Sequence, residues 1–484
     1  MSRGEVRAGD GWLWETRCVI AARRTKILAT LGPATDAPGV LDDLLAAGVD
    51  CVRLNCSHGT ADELRGRAGD ARAAAARAGR SLGVLLDLQG PKLRLGADTA
   101  SRVIGAGEEL TIGCTGAGAD LSVDFTEFLE LVTERSEVVI GDGLPRFTVI
   151  GIEGAIVRLR AARGGALGPR KGVNVTYAHP RLPAITAKDI ADLELAAELE
   201  ADFVALSFVR GAADVEDLRD RLVAHGSRAR TIAKIEKIEA YAHLDEILAV
   251  ASGIMVARGD YGVEAGVAAV PLMQKDTIYR ATQLGKTVIT ATQMLESMIH
   301  APEPTRAEAT DVANAVIDGT SAVMLSAETG VGEYPVEAVL AMSEIAHAAE
   351  WAPEILGRAR GGLGSPAEKV LHAAEQLGCD LGVAAIVIPT ATGGGVRAVT
   401  KYRPDRPVVA LCHDPVVANQ LTLEWGVVVI PLAIAESVEE LVENSLAAAR
   451  DGAGIASGEQ VVITAGIRTG TPGATSLIMV REIP

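Results

Sequence analysis

Aromatic side chains are scarce: Phe, Tyr and Trp make up 3% of the residues, against 48% hydrophobic residues overall. The core must therefore be built mainly from Ala, Val, Leu and Ile. Positive charge is also short. With 46 Lys and Arg against 63 Asp and Glu, the formal net charge is −17. Such a chain is repelled by phosphate backbones unless it carries a basic patch, and no run of Lys or Arg supplies one, which argues against nucleic acid as a partner. Its six cysteines (Cys18, Cys51, Cys56, Cys114, Cys379, Cys412) form no C-x-x-C pair or regular framework. This excludes a disulfide scaffold or structural zinc site and fits reduced thiols. No run of about 18 apolar residues escapes a polar break, so no membrane-spanning helix is expected. MSRGEVRAGDGWLWETR at the start has no apolar stretch of the secretory kind. A cytoplasmic protein is the expectation.

What the chain does have is rhythm. Its 484 residues suggest about three domains at roughly 150 residues each. After an extension over residues 1–24, short apolar runs alternate with Ala/Leu/Glu stretches of helical period. The runs are KILATLGP from Lys26, DCVRLN from Asp50, GVLLDLQG from Gly83 and FVALSFV from Phe203, then TIAKIE from Thr231, GIMVARGD from Gly253, TVITATQ from Thr287 and SAVMLSAE from Ser321. Eight strand-then-helix units in series predict a closed parallel (β/α)8 barrel, divided here into residues 25–90 and 172–352. The long gap after the third unit is rich in short β-type runs (ELTIG, EVVIGDG, RFTVIGIEG, AIVRLRA), which predicts a small inserted β-barrel lid over residues 91–171. Beyond the Gly/Arg-rich LGRARGGLGSP, the runs GVAAIVIP, PVVALCHD, GVVVIP and QVVITAG predict an open α/β domain over residues 353–484.

Polar residues gather at the C-terminal ends of the barrel strands, the face where such barrels keep their chemistry. Strand two offers Arg53, Asn55 and Ser57 at alternate positions, on one face if the chain stays extended. Strand three ends in Asp87, and strand five carries Lys234 and Glu236. Strand six ends in Arg258, Gly259 and Asp260, and strand seven in Thr290, Thr292 and Gln293. Ionisable groups inside apolar strands cost several kcal/mol unless paired, so their clustering points to a site rather than to scattered strand caps. Glu236 and Asp260 are hard-oxygen donors on adjacent strands, suited to a Mg²⁺ that keeps its waters and binds substrate phosphate, with Mn²⁺ as a substitute. Arg53, Arg94 and Lys234 bring positive charge to the same place. Together they describe phosphoryl transfer by positioning and charge stabilisation. A Schiff-base role for Lys234 would need a depressed pKa, which Glu236 opposes. The P-loop-like QLGKT lacks its first glycine, where Arg280 stands, and runs into a strand. TGGGV and TGTPG, each after a predicted strand of the last domain, read as ordinary turns or as a site for a phosphorylated effector.

VRLNCSHG, LLDLQGPKLR, GVN from Gly172, LSFVR, IAKIEK, IMVARGDYGVE, VITATQMLESM, PTRAEATDVANAVIDGTSAVMLS and KYRP occur in the order found in pyruvate kinases. The chain resembles that family from about Thr25 to its end. The resemblance implies transfer of the phosphoryl group of phosphoenolpyruvate to ADP, usually in a homotetramer. It implies that Arg53 holds the substrate phosphate, Lys234 stabilises the group in flight, and Glu236 and Asp260 bind Mg²⁺. Gly259 and Asp260, through their amides, and Thr292, through its hydroxyl, would hold the carboxylate, with Thr292 also on the proton route to the enolate. Arg94, Lys171 and the stretch Asn55, Cys56, Ser57, His58 would serve the nucleotide.

The departures carry information of their own. Family members commonly read DTKGPEIR and bind K⁺ through Asn, Ser, Asp and Thr oxygens; this chain reads DLQGPKLR, with Leu88 in place of the threonine and Lys92 in place of the glutamate. Asn55, Ser57 and Asp87 remain, but the Lys92 ammonium can supply the charge that K⁺ would bring, so no K⁺ requirement is expected. GVNVTYAHPR replaces the common GVNLPG, removing a Pro-Gly pair where the lid rejoins the barrel. Two alternatives stay open at this point: an enzyme of the same fold acting on another enol phosphate or acceptor, and a metabolite-binding regulator without turnover.

Overall fold

A computed structural model describes residues 23–125, 128–141, 143–176, 183–351, 364–466 and 475–484. Trp12, Trp14, Cys18, TGTPG, most of LGRARGGLGSP and the second half of GVNVTYAHPR lie outside the described residues.

Eight strands close into a barrel: β1 (Lys26–Thr30), β2 (Cys51–Asn55), β3 (Gly83–Asp87), β4 (Phe203–Leu206), β5 (Arg230–Ile235), β6 (Gly253–Ala257), β7 (Thr287–Ala291) and β8 (Ala322–Leu325). Each pairs in parallel with its neighbours in chain order, and β8 returns to β1. All eight apolar runs become these strands. They read as nearly unbroken hydrophobic segments because both faces are covered. On β1, Ile27 and Ala29 pack outward against the helices, whereas Leu28 faces the interior with Leu85, Phe203, Ile232, Met255, Ile289 and Met324. With few rings available, aliphatic layers fill the barrel.

The insertion after β3 forms a seven-stranded sheet with its own core around Phe128 and Phe147. Its spatial order is Leu93–Arg94, Gly172–Thr176, Glu137–Ile140, Arg146–Glu153, Ile156–Arg163, Glu109–Cys114 and Leu121–Val123. An antiparallel bridge between Leu95 and Val123 joins the two ends of that order, so the sheet curls back on itself. The strand Gly172–Thr176 continues this sheet past Lys171, pairing with Leu93–Arg94 on one side and Glu137–Ile140 on the other.

The last domain is a five-stranded sheet of β9 (Ala385–Pro389), β10 (Val408–Cys412), β11 (Val427–Pro431), β12 (Gln460–Gly466) and β13 (Thr475–Glu482), ordered β11-β10-β9-β12-β13. The first four are parallel, as the alternating pattern predicts. The edge strand β13 runs antiparallel to β12. It had no clear signal, because TSLIMVRE alternates imperfectly and lies half exposed at the sheet edge.

This domain seals the end of the barrel opposite the strand C-termini. Leu423 joins the interior barrel cluster, fully buried. Thr287 Oγ1 donates to Glu424 Oε1 at 2.9 Å, and Lys26 Nζ donates to the Val427 carbonyl at 2.8 Å. The buried Trp425 ring has the Arg24 guanidinium 5.5 Å and the Arg403 guanidinium 5.2 Å from its centre. The open cleft lies at the other end of the barrel, under the lid.

Candidate active site

Charges along β2, β3 and β5 meet because these strand ends, with β4 between the last two, project into one space at the barrel mouth. Asp87, almost wholly buried at the end of β3, accepts from Arg53 Nε at 2.7 Å and faces Lys234 Nζ at 3.3 Å. Arg53 also donates to Thr30 Oγ1 on β1 at 3.2 Å. Burial pushes the Asp87 carboxyl up, but Lys234 and then Arg53 outweigh it and hold Asp87 below the usual carboxylate range. For Lys234, burial favours loss of the proton, yet Asp87 and then Glu236 overcome that and raise its pKa. Lys234 therefore stays an ammonium, which suits charge stabilisation and not imine formation.

Glu236, two residues on, is buried with its Oε2 3.8 Å from Lys234 Nζ. Its Oε1 accepts the Phe208 amide at 2.6 Å, while Oε2 makes no hydrogen bond. Its pKa is raised, first by burial; Lys234 works against this and Asp260 adds to it. Asp260 lies in the first turn of the helix Arg258–Ala265, which follows β6 directly, where free amide groups favour a carboxylate. Lys92 Nζ stands 3.5 Å from Asp260 Oδ1. The Lys92 charge thus faces the Asp260 carboxylate, whereas the two oxygens of Asp87 face Arg53 and Lys234.

On the far side, Thr292 Oγ1 accepts the Gly259 amide at 2.8 Å and donates to the Ala291 carbonyl at 2.6 Å. Thr290 does not join this group. It is fully buried and donates to Thr320 Oγ1 at 3.0 Å, because on β7 it shares the outward face of Val288, whereas Thr292 lies past the strand end in a left-handed turn that redirects its side chain.

The strand β2 ends at Asn55, so Ser57 lies in a turn rather than on the strand face with Arg53. Asn55 Oδ1 accepts the Ser57 amide at 3.1 Å and closes that turn. The Cys56 side chain packs into the hydrophobic core, 1% exposed, and its carbonyl accepts Lys188 Nζ at 2.8 Å. His58 lines the cleft; burial, then Arg94, Arg53 and Lys92, lower its pKa and favour a neutral ring. Arg94 lines the same cleft and donates to the Arg170 carbonyl at 3.2 Å. Lys171 turns its ammonium to the Ala166 carbonyl at 2.8 Å within the lid. Leu88 is buried, and its carbonyl accepts Ser207 Oγ at 2.7 Å.

The cleft between lid and barrel has a volume of about 1630 Å³, with Arg146 and Asn174 on the lid side and Asp260 and Thr292 on the barrel side. That is room for two phosphorylated molecules of metabolite size.

Family models account for most of the chain. The pyruvate kinase barrel domain matches residues 22–339, and the pyruvate kinase alpha/beta domain matches residues 368–481. The chain belongs to the pyruvate kinase family. A pyruvate kinase of Geobacillus stearothermophilus is 40% identical over 473 residues, covering 95% of this chain and 80% of that protein. One from Clostridium acetobutylicum is 37% identical over 471 residues, covering 95% of this chain and all (100%) of the other. One from Clostridium perfringens is 34% identical over 473 residues with the same coverage, 95% and 100%. The chain is therefore an enzyme of the phosphotransferase kind.

Two contributors escaped the sequence reading. Ser207 accepts from Lys234 Nζ at 2.7 Å and passes the contact on to the Leu88 carbonyl. Phe208, with φ of 57°, presents its amide to Glu236. Arg258, expected at the mouth with Gly259 and Asp260, lines the cleft but commits its guanidinium to the carbonyls after β7. Ser207 could have been found, since it is a polar residue just beyond a strand end. Phe208 acts through a backbone amide that no pattern displays.

Proposed function

We propose that this enzyme transfers the phosphoryl group of phosphoenolpyruvate to ADP, giving pyruvate and ATP. The observation that carries the reading is the convergence of Arg53 and Lys234 on Asp87, beside the two carboxylates Glu236 and Asp260. Arg53 binds the phosphate of the substrate. Lys234, fixed by Asp87 and Ser207, stabilises charge on the phosphoryl oxygens as the bond to the enol oxygen breaks and the bond to the ADP β-phosphate oxygen forms. On binding, the substrate carboxylate takes over the Gly259 amide and the Thr292 hydroxyl, which otherwise bond to Thr292 Oγ1 and to the Ala291 carbonyl, together with the Asp260 amide; Thr292 also serves the route by which a proton reaches the methylene carbon of the enolate. His58, in the turn after β2, and Arg94, on the lid, serve the nucleotide.

Glu236 Oε2, buried and without a hydrogen-bond partner, fits a Mg²⁺ site shared with Asp260. Such an ion, or Mn²⁺ in its place, would neutralise phosphate charge when bound. The Lys92 ammonium adds a fixed positive charge beside Asp260, which supports turnover without K⁺. The reading extends to a glycolytic role in the cytoplasm, to a homotetramer, and to a phosphorylated effector in the last domain. Among the described residues no helix is long and apolar enough to cross a membrane.

Pyruvate formation from phosphoenolpyruvate, ADP and Mg²⁺, coupled to lactate dehydrogenase, tests the reading. Turnover at ordinary kinase rates of about 1–100 s⁻¹ is expected, with a loss of at least about 100-fold in Lys234→Met. Absence of turnover by the unmodified enzyme would overturn it.

A further inference from the structure

Thr292 and Gln293 have φ of 70° and 54°, two successive side-chain-bearing residues in the left-handed region. For a β-branched residue this conformation is rare, and it is strained unless the surroundings enforce it. A single side chain spans this turn. Arg258 Nη2 donates to the Thr292 carbonyl at 2.8 Å and to the Gln293 carbonyl at 3.0 Å, and Nε reaches the Thr292 carbonyl at 3.2 Å. The guanidinium is itself held from behind: Nη1 donates to Asp311 Oδ1 at 2.7 Å and lies 3.5 Å from Gln274 Oε1. Gln274 is fixed in turn by donating to Asp318 Oδ2 at 3.1 Å. Arg258 is 9% exposed, and its fork spans both carbonyls and the Asp311 carboxylate, which the point charge of lysine cannot match.

We propose that Arg258 is a positioning residue, which holds the Thr292–Gln293 turn left-handed so that the Thr292 hydroxyl stays on the Gly259 amide and faces the cleft. Arg258 needs no contact with substrate for this. Asp311, on the helix Arg306–Asp318, sets the orientation of the guanidinium and so ties that helix to Thr292. The inference rests on the phosphoryl-transfer reading only for the task given to Thr292; the conformational claim stands by itself.

The test uses the full-length chain with Arg258→Met, Arg258→Lys and Asp311→Asn. Crystal structures of the variants report the Thr292 conformation, and kinetics report its consequence. In Arg258→Met, Thr292 is expected to leave the left-handed region and to part from the Gly259 amide, with kcat falling about 100-fold, as when a reacting group is misplaced by an ångström. The KM for ADP should not move. Arg258→Lys and Asp311→Asn should show smaller losses, on the order of tenfold, and they carry the test if Arg258→Met does not fold. Hydrogen exchange at the pyruvate methyl group in D2O, which reads the proton step alone, should fall in proportion to kcat; a merely structural loss would instead lower the melting temperature and leave the kinetics of the folded fraction unchanged. A Thr292 that keeps its conformation and its Gly259 contact in Arg258→Met or Arg258→Lys overturns the proposal whatever the activity. An unmodified enzyme without turnover, with Thr292 released in the variant crystals, would overturn the functional reading and leave the positioning role standing.

Discussion

Arg53 donates from Nε to Asp87 Oδ2 across 2.7 Å, tying the ends of β2 and β3 together at the mouth of the barrel. The other oxygen of the same carboxylate faces Lys234, so one buried anion keeps two cations from repelling each other.

Asp87→Ala should therefore harm both folding and chemistry. Removing one partner of a buried ion pair costs about 3–5 kcal/mol, and here two cations lose theirs. Urea unfolding should show a destabilisation of that order, and kcat should fall at least about 100-fold. Asp87→Asn, which keeps an acceptor for Arg53, should recover part of the stability and little of the activity. Wild-type activity in Asp87→Asn would show that the carboxylate charge is not needed.

Lys92→Glu should create a requirement for K⁺. The unmodified enzyme is expected to turn over equally in K⁺, Na⁺ and tetramethylammonium buffers, because the ammonium near Asp260 is already present. The variant should lose at least about tenfold without K⁺, equivalent to about 1.4 kcal/mol of charge stabilisation, and regain it on adding K⁺. Strong activation of the unmodified enzyme by K⁺ would remove this role from Lys92.

Asp202 makes stability depend on pH. Burial is the main cause that pushes its carboxyl up to about 7 from an ordinary 3.8. One oxygen accepts the Val84 amide at 2.8 Å; the other is buried without a hydrogen bond. Between those two pH values the folded chain keeps a proton that the unfolded chain has released, so stability falls as pH rises through that window. Below pH 4 the cost vanishes; above pH 7 it is complete, on the order of a few kcal/mol. Asp202→Asn keeps an acceptor for Val84 and removes the charge. It should raise the melting temperature at pH 8 and leave it unchanged at pH 4. An effect equal at both values would show that ionisation is not the cause.

Gly83 allows the last domain to dock. A Cβ there would meet Thr422 Oγ1 at 2.7 Å, Cys51 Sγ at 2.9 Å and the Asn419 carbonyl at 3.2 Å. The backbone carbonyl cannot swing aside as a side chain can, so Gly83→Ala should cost about 1–3 kcal/mol in urea unfolding, as overpacking does. A cost below about 0.5 kcal/mol would show that the seam gives way freely.

The barrel was legible because its strands are covered on both faces, so continuous apolar runs mark them whatever the details of packing. Lys234 stood out for the same reason, as a charge in an otherwise buried strand, with Glu236 just past its end. Thr290 has the same polarity as Thr292 but points to Thr320; alternation alone would send both the same way, and the left-handed turn after β7 is what brings the Thr292 hydroxyl to the mouth. Ser57 follows its strand too late to share the face of Arg53, because Asn55 closes a turn first. The edge strand β13 was missed where one-sided exposure blurs the pattern.

By itself the sequence determined the strand-and-helix series, the inserted lid, the family motifs and the acidic residues suited to a metal, because local hydrophobic period and residue chemistry are properties of neighbours along the chain. Only the tertiary structure decided which charges pair: Asp87 with both Arg53 and Lys234, Lys92 with Asp260, and Arg258 with the carbonyls of a left-handed turn 34 residues away. Barrel closure and side-chain direction set those partnerships. Electrostatic energy depends on distance and burial, and neither is fixed until distant strands lie side by side.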